Sequence, residues 1–126
     1  MVEREKIEHK TLNKNGWTTL EDSHLIEIIL NAMGDEDKKN IINAVIDKSC
    51  EISEILKINN IPQTSGYRKI KTLIDDGILV PQGCVRMHDE KGVAKYRAIF
   101  DNVYISLEKN KVVIKVHHAD LDLMNV

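Results

Sequence analysis

The stretch over residues 61–77 constrains most strongly how this chain can fold; its sequence is IPQTSGYRKIKTLIDDG. At about 100° per residue, its apolar residues gather on one side of a helix, centred on Ile70. Small polar and cationic residues fall on the opposite side: Thr64, Ser65, Arg68 and Thr72. Lys69 and Lys71 flank that outer side, and two aspartates follow only in the last turn. Such a helix suits a DNA groove, although an ordinary surface helix would also have a polar outer side.

The residues before this helix complete a helix-turn-helix pattern. Ser53 is a candidate N-cap for a short helix with the sequence EILKIN. Asn60 tolerates the positive φ of a tight corner, and Pro62 holds Ile61 extended before the next helix begins. A short helix, a tight corner and a longer helix over residues 62–76 therefore predict a helix-turn-helix. Pro62 leaves the longer helix without an obvious side-chain cap.

A basic β-hairpin is predicted after this helix, over residues 84–100. Along its second arm two sets of residues alternate: Tyr96, Ala98 and Phe100 with Lys95, Arg97 and Ile99. This alternation predicts a half-buried strand with basic residues on its outer face. The hairpin is typical of a wing, and four of its residues are placed to touch DNA phosphates: Arg86, His88, Lys91 and Lys95.

Two further helices are predicted before the helix-turn-helix. Thr19 is a candidate N-cap for the first, over residues 19–33, whose apolar residues spread beyond a single stripe. Such a helix needs more than one neighbour, and its copy in a second chain would supply one. The second helix opens at Asp35 with three acids in its first turn and Lys48 in its last, the order that a helix dipole favours.

The two ends of the chain lie outside this unit. Residues 1–18 are charged and lack periodicity, so they are predicted to form a mobile arm. Trp17 is the exception and is expected to dock on the body or on a partner subunit. Residues 101–117 predict a second β-hairpin, whose apolar row requires cover from the core or from a dimer partner. Residues 118–126 form a tail.

Composition bounds the class of protein. A chain of 126 residues, 42% of them hydrophobic, is long enough for one domain with its own aliphatic core. The absence of a leader or a long apolar run predicts a soluble, cytoplasmic protein that does not enter membranes. The net charge is −2, yet residues 61–100 hold seven basic and four acidic side chains. Positive charge therefore concentrates in the predicted helix and wing, and a dimer would bind DNA better than a monomer.

No residue pattern predicts catalysis. The chain lacks a nucleophile–base constellation, a phosphate loop and a paired-carboxylate motif, so neither an enzyme nor a cofactor is predicted. Four potential metal ligands lie near the C-terminus: His117, His118, Asp120 and Asp122. Because adjacent side chains on a strand face opposite sides, no metal site is predicted there. Cys50 and Cys84 are expected to be small buried groups, while a redox or small-molecule input through them stays open.

Three blocks of the sequence resemble the winged helix-turn-helix of ArsR-type transcription regulators, especially the archaeal branch. They are LNAMGDED from Leu30, ISEIL from Ile52, and PQTSGYRKI from Pro62 with the LIDDGIL that follows. The resemblance covers roughly residues 25–100 and implies a homodimer that places residues 62–76 in the major groove and the wing on the backbone. By position, it also implies a set of DNA-reading residues: Gln63, Thr64, Ser65, Tyr67 and Arg68. The metal-sensing members carry paired cysteines where this chain has only Cys50, so metal sensing is not implied.

Together these features predict an α+β fold: a winged helix-turn-helix over residues 19–100 with an additional C-terminal β-hairpin. The predicted function is sequence-specific regulation of transcription by a homodimer that binds an inverted repeat in double-stranded DNA. Arg68 is the expected base contact, since a guanidinium can bond a guanine edge at two positions. The alternative is a winged-helix protein-interaction module in a larger assembly, without DNA binding.

Overall fold

The computed structural model describes residues 16–86 and 92–119, with residues 83–86 and 92 described by their backbone alone. In chain order, the elements are β1 (Trp17–Leu20), α1 (Ser23–Gly34), α2 (Glu36–Ala44), β2 (Cys50–Glu51), α3 (Ile52–Ile58), α4 (Gln63–Asp75), β3 (Leu79–Arg86), β4 (Gly92–Ala98), β5 (Phe100–Glu108) and β6 (Lys111–His118). The strands form two antiparallel sheets, ordered β1-β6-β5 and β2-β4-β3. The fold is therefore α+β and compatible with the predicted winged helix-turn-helix.

The core is aliphatic, as the scarcity of aromatic residues predicts. Every helix contributes a side chain that is fully shielded from solvent, among them Leu25, Ile41, Ile55 and Ile70. Phe100, at the start of β5, is the one aromatic side chain buried with them among the described residues. The four helices thus share one core with the inner faces of the two sheets.

The first helix begins later than predicted. Thr19 is not its N-cap, because residues 17–20 form strand β1 and pair antiparallel with β6. Asp22 caps α1 instead: its carboxylate accepts hydrogen bonds from the backbone N–H groups of His24 (2.7 Å) and Leu25 (3.3 Å). The predicted arm therefore ends before Trp17, and residues 1–15 lie outside the described part of the chain.

Two side-chain contacts join strand β1 to β6 in addition to the backbone pairing. The Trp17 ring meets the His117 ring edge-on, with centroids 5.1 Å apart, so this tryptophan docks on the body of its own chain. The next residue of β1, Thr18, pairs with Val116 in the sheet, and its Oγ1 lies 3.0 Å from Nε2 of His118. Burial lowers the pKa of His118, and the neighbouring His117 lowers it further. The neutral imidazole is therefore the form that this sheet favours.

The second helix ends before Lys48, and strand β4 satisfies the carbonyls that follow it. Val45 O accepts a hydrogen bond from the backbone N–H of Ala98 (3.0 Å). Ile46 O accepts two from the Arg97 guanidinium, from Nε at 3.0 Å and from Nη2 at 2.7 Å. The Arg97 guanidinium, which is distant in sequence, therefore lies at the C-terminal end of α2, where Lys48 was expected.

Arg97 corrects the prediction of a basic outer face along β4. Its side chain is 4% exposed, and Nη1 donates a third hydrogen bond to Gln82 Oε1 on β3 at 3.4 Å. Alternation fails here because the end of β4 is covered on both faces, so Ala98 and Ile99 are buried as well. Arg97 therefore fastens the two strands of the predicted wing to the helical layer.

The corner between α3 and α4 follows the local signals in the sequence. Asn60 has a φ of 57°, and Pro62 precedes α4 without a side-chain cap, both as predicted. Helix α3 begins at Ile52 instead, so Ser53 lies inside it and does not cap it. The predicted C-terminal hairpin is also present: β5 pairs with β6 through a tight turn at Lys109 and Asn110, whose φ angles are 52° and 67°.

We expect Gly66→Ala to destabilise the protein, because α3 and α4 cross closely at this buried glycine. A Cβ there would collide with a Leu56 methyl group and lie 3.0 Å from Ile61 Cγ2. Overpacking costs typically 1–3 kcal/mol, and the better helix propensity of alanine offsets up to about 1 kcal/mol. The free energy of unfolding in urea should therefore fall by about 1–2 kcal/mol. Gly34→Ala is the control, since a Cβ there meets nothing within 4 Å, and its stability should not fall.

Candidate nucleic-acid interface

Helix α4 has the two sides that its periodicity predicts. Gly66, Ile70 and Leu73 are buried against the core. Five of the predicted DNA-contacting residues are exposed on the outer part of this helix: Gln63, Thr64, Tyr67, Arg68 and Lys71. Ser65 is half-buried near the helix start. The polar and cationic side of α4 therefore lies at the surface of the described chain.

Thr72 lies nearer the body than the rest of this side. Its hydroxyl donates a hydrogen bond to Arg68 O, one turn earlier, at 3.0 Å. It also lines a cavity of about 380 Å³ between α1, α2 and α4, together with His24 and Asp76. Thr72 is half-buried, so it marks the edge of the outer side of α4.

Lys69 is engaged by two carboxylates of α2. Its Nζ lies 3.0 Å from Asp37 Oδ2 and 3.2 Å from Asp35 Oδ1, and these hydrogen bonds raise the pKa of Lys69. Asp35 also accepts the backbone N–H of Lys38 at 3.0 Å, which lowers the pKa of this carboxyl most, with Lys69 contributing further. No local pattern predicts this pairing, which joins the start of α2 to α4.

An open hollow of about 460 Å³ connects α4 to the start of α3. It is lined by Ile52, Tyr67, Arg68, Lys71 and Ile74. Tyr67 is 50% exposed, so its ring forms part of the protein surface as well as part of the hollow. Lys71 Nζ lies 3.8 Å from Asp75 Oδ2, and both side chains are mostly exposed. Such an exposed pair is weak, which leaves the ammonium able to exchange its partner for a phosphate.

The second strand of the predicted wing, β4, pairs with the two residues that precede Ile52. Strands β3 and β4 pair from Leu79 opposite Ala98 to Arg86 opposite Gly92. Lys95 on β4 is half-buried and pairs in the sheet with Glu51, the residue just before the Ile52 that lines the hollow.

Part of the predicted wing contact lies beyond what the structure describes. Residues 87–91, which include His88 and Lys91, are outside the described ranges, and so is the side chain of Arg86. Their contacts with DNA stay predictions.

The remaining candidate groups are separate from this surface. His117 Nδ1 lies 2.7 Å from Asp101 Oδ1, whereas His118 faces Thr18, so the two rings have different partners. Within residues 16–86 and 92–119, no group of three or more His, Cys, Asp or Glu side chains is arranged to hold a metal ion. Asp120 and Asp122 are outside those ranges.

Cys50 has the environment of a core residue. Its side chain is buried and forms no disulfide, and burial raises the pKa of its thiol, with Glu54 adding to the shift. Cys50 is therefore a small buried group, as predicted. The side chain of Cys84 is outside the described part.

The described residues define an α+β protein that presents a polar, cationic helix beside a three-stranded sheet. No protein-family model, curated protein or solved structure matches the chain. In the described part, no helix has the length and apolar character needed to cross a membrane. The function must therefore be inferred from the geometry of α4 and its neighbours.

Proposed function

We propose that this protein is a DNA-binding transcription regulator of the winged helix-turn-helix class, with α3 and α4 as the motif and β3–β4 as the wing. The observation that supports the proposal is the exposed outer side of α4, which carries Arg68 and Lys71. No acidic residue occurs on this helix before Asp75, in its last turn. An α-helix with such a side fits the major groove, with its N-terminal part against the bases.

The residues of this surface have distinct roles in the proposal. Arg68, exposed in the middle of the outer side, contacts a base edge. The start of α4 lacks a side-chain cap, so its free N–H groups and the hydroxyls of Thr64 and Ser65 are donors for a phosphate. In the proposal, Gln63 adds a polar contact with DNA at the same end of α4, and the Tyr67 hydroxyl contacts the DNA phosphate backbone.

Lysines around α4 divide between DNA contact and positioning. Lys71 lines the hollow between α4 and the start of α3, and Lys95 pairs with Glu51, the residue just before that hollow; both contact phosphates in the proposal. Arg86, His88 and Lys91 extend the same contact along the wing. Lys69 differs, because Asp35 and Asp37 hold its ammonium. We assign Lys69 to the positioning of α4 against α2.

A protein-interaction module remains the second candidate, and one observation favours it. Ile58 on α3 and Tyr67 on α4 are both large apolar groups that are more than one-third exposed. An apolar partner surface could cover them without involving DNA. The two candidates differ in their response to salt, because only binding to several phosphates releases the condensed counterions of a duplex.

Lys71→Ala is expected to weaken binding to all duplex sequences alike. Fluorescence anisotropy with a labelled mixed-sequence duplex, measured over a series of salt concentrations, gives the slope of log K against log salt. The wild-type slope should be steep, and the variant should reduce its magnitude by about one for each bound copy, because one phosphate contact is lost. Lys115→Ala, which removes an exposed lysine on β6, is the control and should leave the slope unchanged. Absence of any salt-dependent complex would favour the interaction module.

A further inference from the structure

Exposed apolar side chains concentrate on strand β5. Three large apolar residues on this strand are exposed: Tyr104, Ile105 and Leu107. Ile105 is 42% exposed and Leu107 69%, although they share a face of the sheet with the half-buried Val103. Across the sheet, Ile105 pairs with the fully buried Ile114. The apolar row is thus covered at the base of the hairpin and uncovered toward its tip.

The edge of β5 is also open to pairing. In the described part of the chain, β5 ends the sheet ordered β1-β6-β5. Strand β1 pairs only with residues 114–117 of β6, so the hairpin reaches beyond it. From Val103 to Leu107 the edge carries no proline, lysine or register irregularity; the one irregularity lies between Phe100 and Asn102. These are the devices that normally protect an edge strand from pairing with another chain.

We propose that β5 pairs antiparallel with β5 of a second copy, about a twofold axis at Ile105, to form a continuous six-stranded sheet. In this register Ile105 lies opposite its own copy, and Val103 lies opposite Leu107 of the second copy. Asp101 then lies near Lys109, in the turn just beyond the second copy's β5, which brings opposite charges together at both ends of the interface. A twofold axis at Tyr104 would instead place Asp101 opposite Leu107 and lose this match.

We place the second copy on β5 because most of the apolar side of α1 is buried within the chain. The sequence predicted dimerisation through residues 19–33, yet the structure buries Leu25, Ile28 and Ile29 within the chain. Leu30, at 39% exposed, is the large apolar group left at the surface of this helix. The inference supplies a dimer interface for the proposed regulator, but it depends only on the sheet and not on DNA binding.

The solution mass of the full chain tests the interface. Light scattering on a sizing column should give twice the 14.4 kDa chain mass for the wild type and a single chain mass for Ile105→Lys. Leu30→Lys introduces the same charge at a similarly exposed apolar site on α1 and should remain a dimer. A monomeric wild type, a dimeric Ile105→Lys variant or dissociation by Leu30→Lys would each overturn the proposal. Circular dichroism establishes that each variant is folded.

Cysteine cross-linking tests the register without relying on a disruptive variant. In a Cys84→Ser background, Ile105→Cys places two thiols directly opposite each other, where Cα atoms lie about 5 Å apart and a disulfide can form. Tyr104→Cys is the control, because the offset along the strands separates its two Cα atoms by roughly 8 Å, beyond disulfide reach. Mild oxidation should convert Ile105→Cys to a covalent dimer and leave Tyr104→Cys uncrosslinked. A covalent dimer from Tyr104→Cys alone, or from neither variant, would overturn the register. Neither light scattering nor cross-linking involves DNA, so failure of this interface can be distinguished from failure of the proposed function.

Discussion

Replacing Arg68 by alanine is expected to weaken binding to the preferred duplex by roughly 5- to 150-fold for each half-site that is bound. The loss corresponds to about 1–3 kcal/mol for one bidentate contact between a guanidinium and a guanine edge. Base preference should relax at a single position of each half-site, because the rest of the α4 surface is unchanged. Anisotropy titrations with the preferred duplex, and with duplexes carrying each other base at every position, measure both effects.

Arg68→Lys separates charge from base recognition. A lysine keeps the positive charge but lacks the planar fork, so binding to unrelated duplexes should persist while the preference at that position falls. Lys57→Ala, which removes an exposed lysine from α3, should change neither affinity nor preference. If Arg68→Ala kept full affinity and the same preferred sequence, then Arg68 would not be the residue that contacts the base.

Replacing Arg97 by alanine is expected to lower the free energy of unfolding by about 3 kcal/mol or more. The variant removes both hydrogen bonds to Ile46 O and the bond to Gln82 Oε1, and it leaves a cavity where the guanidinium was buried. A hydrogen bond to a charged group contributes about 1.5–3 kcal/mol, and an unsatisfied buried acceptor adds its own desolvation cost. Urea denaturation followed by circular dichroism measures the change.

Two variants identify the source of that loss. Arg97→Lys keeps one charged donor but cannot bond Ile46 O at two points, so its stability should lie between those of the wild type and Arg97→Ala. Lys111→Ala truncates an exposed side chain on β6 and should stay within about 0.5 kcal/mol of the wild type. Equal stability of Arg97→Ala and the wild type would show that the guanidinium does not fasten the wing strands to the helices.

Local signals explain why α4 could be predicted from the sequence. The corner before α4 depends on the backbone preferences of Asn60 and Pro62. The end of the helix is followed by Gly77, which has a φ of 82°. Its buried side follows from a periodicity that spans only a few turns. Each of these signals acts within about a dozen residues, so no knowledge of the tertiary structure is needed.

The contacts that sequence reasoning missed join residues far apart in the chain. Arg97 bonds a carbonyl 51 positions away, and Lys69 pairs with carboxylates 32 and 34 positions away. An alternating pattern assigns Arg97 to an outer face because it contains no information about what covers the end of β4. Likewise, Lys69 has the spacing of a surface residue until α2 places Asp35 and Asp37 beside it.

The misplaced start of α1 has a similar cause. Thr19 is a good N-cap by residue type, but residues 17–20 lie beside β6, whose pairing residues are about 100 positions away. The strand forms because Thr18 and Leu20 are buried there while Thr19 faces outward. A cap preference worth about 1 kcal/mol is outweighed by burial of a strand face against the core.

Selection of bound duplexes from a random pool, with the purified full chain, tests DNA recognition by α4 most directly. We expect an inverted repeat whose half-site centres lie about 34 Å apart, one turn of the duplex, with a guanine at the position that Arg68 contacts. Recovery of no enriched sequence, even at low salt where phosphate contacts are strongest, would contradict the proposed function.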